Sequence, residues 1–388
     1  MRIRSSGLLV LAVVLQWGMS RASAEDKPSV IRISYPSVGV GGRPAGHTTS
    51  IASAHLRGLF EEEFRPDGIS ISWSFLRGAG PAVNELFANN LVDFSHLGDL
   101  PAVIGRASGL SYRIVAGTSV RGNVYVAAPS DSTAQTVADL RGKRIALQKG
   151  TSTHLAGVKI LERFGLTEKD VKIVNMDTVN AQLALTTRDI DAAIGTTDYL
   201  RLRDQGVAKI LYATKGDPIT TSNGAFLASS KFLERYPTIA TRVLKVVVKS
   251  AQWLAETNPT QVFQLWTKSG TTFASFREDW KGDDVKYRTS PLIDPYLTSR
   301  YKTQITEAKR LNLTKNTFSF EEWAEPRFLQ AALKQLGLEG YWQPRGLDGK
   351  PSAPDTRRAS NGQPAAATQQ PGAAQPEAAP VPAVPAGG

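Results

Sequence analysis

Along residues 30–213, short apolar runs bounded by polar turns alternate with longer stretches whose apolar positions recur every three or four residues. The first series predicts a strand over Val30 to Tyr35, a helix over Ser50 to Phe64, a strand over Ile69 to Leu76 and a helix over Pro81 to Asn89. It continues with a strand from Val92 to Leu97, a short helix from Pro101 to Ser108 and a strand from Tyr112 to Gly117. The same order then returns. Strand Arg144 to Leu147, helix His154 to Phe164 and strand Val171 to Asn175 are followed by helix Ala181 to Thr187, strand Ile190 to Ile194, helix Tyr199 to Asp204 and strand Ala208 to Ala213. Strands alternating with helices predict an α/β fold of two doubly wound lobes, each built on a mainly parallel sheet.

Two further apolar stretches, Asn123 to Ala128 and Gly224 to Ala228, fall where the chain leaves the first half and where it returns. They are expected to cross between the lobes as a two-strand hinge. Helical spacing near Lys231 to Thr257, Thr260 to Ser269, Ser299 to Leu311 and Phe320 to Leu336 predicts a helical segment packed mostly on the first lobe. On this reading residues 25–122 and 223–343 make lobe one, and 123–222 make lobe two. In open α/β sheets ligands settle outside the carboxyl ends of the strands, so two such lobes facing each other make a cleft.

The chain's ends follow other patterns. Arg2 and Arg4, the apolar run Leu8 to Leu15 and Ala22-Ser23-Ala24 read as a secretory signal cleaved after Ala24, too short to serve as a membrane span. From Pro344 the chain turns to Pro, Ala, Gly and Gln, a composition with too little large apolar surface to offset chain entropy, and residues 344–388 are expected to be disordered. The 388 residues contain no cysteine, which removes disulfides, thiolate nucleophiles and thiolate metal sites from consideration. Export without disulfides points to a bacterial periplasm. The net charge of +11 includes three signal arginines and a net of one in the tail, leaving about +7 on the body. Without a Lys/Arg cluster in a secreted chain, that balance suits small anions better than nucleic acid.

The candidate chemistry centres on Gln148-Lys149-Gly150-Thr151-Ser152-Thr153-His154, a turn between a strand and a helix. The first N–H groups of a helix have no intrahelical partner and carry a partial positive charge, so an anion is their natural occupant. The competing reading is that Thr151 or Ser152 caps the helix. Lys149 is either a point charge for the ligand or a solvated strand-end lysine, and His154 either a contact or a structural helix histidine. Gly78, Ala79 and Gly80 precede a helix on the opposite lobe, and Gly98 with Asp99 precedes another. Asp99 and Asp198 read first as helix caps, and Asp198 could also pair with an ammonium group. Arg43, in the long loop after the first strand, either closes over an anion or stays on the surface. Ser37, Thr153, Thr197 and Asn223 complete the candidate set at turns facing the same gap. His47, His55 and His96 lack ligand spacing, so no metal and no cofactor is expected. "GVGGRPAG" fails as a dinucleotide motif because Pro44 stands where the last glycine belongs.

Taken together and in order, several motifs resemble periplasmic binding proteins for aliphatic sulfonates, taurine and nitrate. They are Arg77-Gly78-Ala79-Gly80-Pro81, Leu97-Gly98-Asp99-Leu100-Pro101, Val137 to Lys143, Ala146 to His154 and Ile190-Asp191-Ala192-Ala193. The resemblance runs from about Ile31 to about Leu336. It implies a type II solute-binding fold, acting as a monomer that carries a small anionic ligand to an ABC permease in the inner membrane, with no catalytic role. An aliphatic sulfonate is the ligand it implies first, with taurine, nitrate or a thiamine-precursor-like heterocycle as alternatives and an enzyme on the same fold as a more distant one. Two features depart from the family pattern. Thr196-Thr197-Asp198-Tyr199 stands where sulfonate binders carry Trp-Asp-Pro-Tyr, and the Pro36 to Thr49 loop is longer.

Overall fold

The computed structural model describes residues 27–352 apart from Pro218. The expected signal, its cleavage site and the chain beyond Ser352 lie outside the described residues. Lobe one opens with β1 (Val30–Tyr35), α1 (Ser50–Leu56), α2 (Leu59–Phe64), β2 (Ser70–Phe75), α3 (Ala79–Ala88), β3 (Phe94–Gly98), α4 (Asp99–Ala107) and β4 (Tyr112–Gly122). Lobe two follows with β5 (Tyr125–Pro129), β6 (Arg144–Leu147), α5 (Ser152–Arg163), β7 (Lys172–Asn175), α6 (Thr178–Thr186), β8 (Ala192–Gly195), α7 (Asp198–Asp204) and β9 (Ala208–Ala213). The chain returns through β10 (Ser222–Ser229) into α8 (Ser230–Arg235), α9 (Pro237–Glu256), α10 (Pro259–Trp266), α11 (Phe273–Asp279), α12 (Val285–Arg288), α13 (Pro295–Arg310), α14 (Phe320–Trp323) and α15 (Arg327–Leu336).

The two sheets have equivalent orders, β2-β1-β3-β10-β4 and β7-β6-β8-β5-β9. Each expected crossing stretch becomes the one reversed strand of the lobe it enters: β5 runs antiparallel to β8 and β9, and β10 antiparallel to β3 and β4. The sheets are therefore mixed, parallel over β2-β1-β3 and β7-β6-β8. The turns between β4 and β5 and between β9 and β10 make the passage between lobes.

Three predicted helices are split, each for a local reason. Gly58, at φ 68, separates α1 from α2, because a left-handed residue cannot continue a right-handed helix. Pro237 starts α9 afresh and Pro326 precedes α15, since proline has no N–H for the preceding turn. Helices α11 and α12 were not legible as periodic stretches. The expected start of the tail at Pro344 is too early: Arg345 is 1% exposed, with its guanidinium on the Asp294 carboxylate at 2.6 Å. The packed body therefore runs on to the last described residues.

Apolar cores flank each sheet. In lobe one, Ile31, Ile33, Phe94 and Phe226 pack under α1, α2, α9 and α15, and Leu97, Val103, Tyr112 and Leu227 under α4, α13 and α14. In lobe two, Ile145, Leu147, Ile160 and Ile194 pack beneath α5, and Ala193, Leu185 and Leu200 beneath α6 and α7. Leu155 of α5 is a member of the lobe-one cluster. The lobes are thus in direct apolar contact through α5. Among the described residues no helix is long and apolar enough to cross a membrane.

Candidate functional site

A cavity of about 280 Å³ lies between the lobes, at the carboxyl ends of β1, β3 and β6. That is where the topology rule for open α/β sheets places a ligand. Of the sequence-derived candidates, Ser37, Ala79, Gly80, Gly98, Thr151, Ser152, Thr153, Thr197, Asp198 and Asn223 border it. Arg43, Gly78, Asp99, Lys149 and His154 do not.

The turn before α5 resolves the competition between cap and contact. Thr151 is the N-cap: its hydroxyl donates to Gln148 O at 2.6 Å, receives His154 N–H at 3.4 Å and shares a proton with Thr153 Oγ1 at 2.8 Å. Ser152 is left over. Its Oγ is shielded from solvent and has no hydrogen-bond partner, and it rests against Gly98 on the opposite lobe. Any side chain at position 98 would collide with that hydroxyl. Buried polar groups are normally satisfied, so an unpaired hydroxyl at the electropositive start of a 12-residue helix is a donor available to a ligand. His154 faces away. Gly150 N–H donates to its Nδ1 at 3.2 Å and its Nε2 donates to Glu168 at 3.1 Å, so the ring fixes the shape of the turn.

Asp99 is also committed elsewhere. Its carboxylate accepts from Leu100 N, Asn223 N, Asn223 Nδ2 and Gln304 Nε2 at 2.9–3.2 Å. It occupies the start of α4, which leaves α3 as the lobe-one helix facing the cavity with an uncapped beginning. Ala79 there has φ 51, and Thr48, across the cavity wall, has φ 62. Non-glycine residues in the left-handed region cost about 1–3 kcal/mol, and such strain collects at binding sites.

Several wall residues had no place in the sequence-derived set. His96 lies two residues before Gly98 on β3, so strand alternation sends both to one face, a signal that was available. Its ring stacks on Tyr35 at 5.0 Å, its Nδ1 meets Thr118 Oγ1 at 2.8 Å, and burial pushes its pKa down to about 3. His47 is likewise held below its usual range by burial, with Asp198 and Asp279 pulling weakly the other way. Both imidazoles are neutral at neutral pH. Asp279 and Arg288, from α11 and α12, carried no local signal. They form a buried knot: Arg288 reaches Asp279 at 3.2 Å and Asp283 at 3.0 Å, while Tyr125 and Asn123 donate to Asp279 at 2.7 and 3.0 Å.

The wall's other carboxylates are also engaged. Asp177 caps α6, and Asp198 accepts from the Thr271 hydroxyl. Arg77 stands exposed at the mouth, where its backbone carbonyl accepts from Gln148 Nε2 of lobe two at 3.1 Å. Beside Ser152 the donors offered to an anion are helix N–H groups and the serine hydroxyl, and the exposed Arg77 guanidinium adds a cation elsewhere on the same wall. No group of three or more His, Cys, Asp or Glu among the described residues is placed to hold a metal.

Comparison with known proteins gives a consistent picture. A model of the NMT1/THI5-like family matches residues 48–262. A Bacillus subtilis (strain 168) protein bearing the name aliphatic sulfonates-binding protein is 31% identical over 208 residues, 52% of this chain and 61% of its own length. The chain thus spans less than two thirds of that relative. The crystal structure of a sulfonate ABC transporter periplasmic sulfonate-binding protein from Methylobacillus flagellatus KT superposes with a TM-score of 0.67 at 32% identity, covering 82% of this chain and 97% of that one. The desulfurization enzyme DSZB shares the fold alone, with a TM-score of 0.59 at 16% identity over 79% of this chain and 99% of its own.

Proposed function

The chain belongs to the NMT1/THI5-like family, and from that premise we propose that it is the periplasmic solute-binding component of an ABC importer, closing its two lobes on an aliphatic sulfonate. The observation that carries this is the buried, unpaired Ser152 hydroxyl at the start of α5, on the wall of the cavity between the lobes. A sulfonate oxygen accepts that hydroxyl together with the free N–H groups of α5 and α3. Hydrogen bonds to a charged group contribute about 1.5–3 kcal/mol each, so two or three supply part of the roughly 8 kcal/mol of a micromolar complex, and burial of the ligand's alkyl chain has to supply the rest. The names borne by the relatives support the same ligand class. The signal-like N-terminus supports export, and the exported protein should begin at Glu25.

An enzymatic role finds less support. With no cysteine in the chain, a thiolate nucleophile is unavailable, and His96 is spent on a threonine hydroxyl and a ring stack. One observation favours a second ligand within the binding class. Asp198 on the wall gives a ligand with an ammonium group, such as taurine, a partner that a plain alkanesulfonate does not use.

The test is a calorimetric and thermal-shift panel of alkanesulfonates, taurine, nitrate and a pyrimidine. A ligand at a hundred times its dissociation constant adds about 2.7 kcal/mol of stability. Alkanesulfonates are expected to raise the melting temperature, and a panel in which no anion does so would overturn the reading.

A further inference from the structure

One face of α5 carries Ser152, Leu155, Lys159 and Glu162, spaced as a helical stripe, and all four meet lobe one or the helices packed on it. Ser152 lies against Gly98, and Leu155, 1% exposed, sits in the lobe-one core. Glu162 takes both terminal nitrogens of Arg310 on α13 at 3.1 Å each. These contacts reward closure. Lys159 is the exception. It is only 8% exposed, and its ammonium has one hydrogen-bond acceptor among the described residues, the neutral amide oxygen of Gln304 at 3.4 Å. The other end of that amide donates to Asp99 Oδ2 at 2.9 Å, so the nearest carboxylate is spent through an intermediary.

The charges facing Lys159 do not rescue it. Asp99 on α4 and Glu307 on α13 attract the ammonium, while Arg300 and Arg310 on α13 repel it. Burial outweighs them all and holds its pKa below the usual lysine range. A buried charge without an ionised partner in contact costs several kcal/mol relative to water. When the lobes part, α5 leaves α13 and that cost disappears.

We propose that Lys159 is a brake on closure: burying its ammonium against Gln304 holds the empty protein open, so that the lobes shut only when an anion at Ser152, on the same helix face, offsets the cost. The proposal rests on the cleft being the ligand site, as argued above. Lys159 touches no ligand. It acts by setting the fraction of molecules in the closed form, and the observed affinity scales with that fraction. The pH dependence has a definite sign. The closed form binds the Lys159 proton less tightly than the open form, so raising the pH toward the usual lysine range releases the brake and tightens binding.

The experiment compares the full-length exported protein with Lys159→Met and Lys159→Arg. Small-angle scattering of the empty proteins and titration of butane-1-sulfonate are run from pH 7 to pH 9.5. Lys159→Met is expected to scatter as the compact form without ligand, to bind about tenfold tighter at pH 7, and to lose the rise of affinity with pH. Lys159→Arg, whose charge cannot be removed, should stay open and bind as weakly as the parent does at pH 7, with no pH slope from this position. Should Lys159→Met fold poorly, Lys159→Gln offers the same loss of charge with a polar head. Weaker binding by Lys159→Met with an open empty form would show the contact to be a latch and overturn the proposal. So would scattering and affinity both unchanged. The scattering comparison needs no ligand, so a protein that binds no sulfonate but still closes on loss of Lys159 separates the two readings.

Discussion

At the scale of single residues, the site is defined by what lacks a partner. Ser152→Ala removes the one hydroxyl in the α5 turn that has no internal obligation, so it should weaken sulfonate binding about tenfold with little loss of fold stability. Thr151→Ala behaves differently: it deletes the N-cap and costs about 1 kcal/mol of stability as well. Titration calorimetry with chemical denaturation distinguishes them. Equal stability losses in the two variants would contradict the assignment of roles. His96 gives a pH signature. An imidazole kept neutral in the fold but free to protonate when unfolded means that the unfolded chain binds more protons as pH falls. Stability should therefore decline below 6.5 and go on declining toward about 3. In His96→Gln the drop in urea midpoint between pH 7 and pH 4.5 should be clearly smaller. The α5 turn could be read from sequence because helix starts are local. Which of the Thr151 and Ser152 hydroxyls was left without an internal partner could not, since that depended on how Thr151 turned toward Gln148.

At the scale of elements, α5 is where the proposed binding and closure meet, because its N-terminus, its apolar position 155 and its charged positions share one face. Leu155 packs in the lobe-one core although its helix belongs to lobe two, so parting the lobes would expose it. Leu155→Ala should therefore weaken ligand binding about thirtyfold, in line with roughly 2 kcal/mol for truncating a buried leucine. The melting temperature of the empty, open protein should hardly change. A large drop in that melting temperature would mean that Leu155 supports lobe two itself. The stripe was visible in part: the apolar rhythm gave a helix from His154 to Phe164, but a periodic pattern cannot say which body covers it. The split helices show the same limit, with Gly58 and Pro326 present in the chain but overridden by the longer apolar rhythm around them. The antiparallel insertion of β5 and β10 was likewise hidden, since apolar runs carry no direction.

At the scale of the whole molecule, residues far along the chain hold the lobes in register. The segment 271–288 ties to lobe two through Thr271 with Asp198, Glu278 with Arg203 at 2.6 Å, and Asp279 with Tyr125 and Asn123. The chain's last packed stretch closes lobe one with Arg345 on Asp294, both side chains 1% exposed. Arg345→Met leaves that carboxylate buried and unpaired, so it should cost about 3–5 kcal/mol, and a denaturant midpoint within error of the parent would refute it. The sequence by itself determined the two equivalent halves, the order of their strands and helices, the cleft at the strand ends and the helix start that faces it. All of these follow from short-range periodicity and from the unpaired N–H groups that every helix must begin with. Tertiary structure alone decided that Asp99 spends its charge on Asn223 and Gln304, that Asp279 and Arg288 reach the cavity, and that Lys159 is buried beside a neutral amide. Each of those outcomes depends on groups up to 205 positions apart meeting in a low-dielectric interior, where the partner found, rather than the residue type, sets the energy.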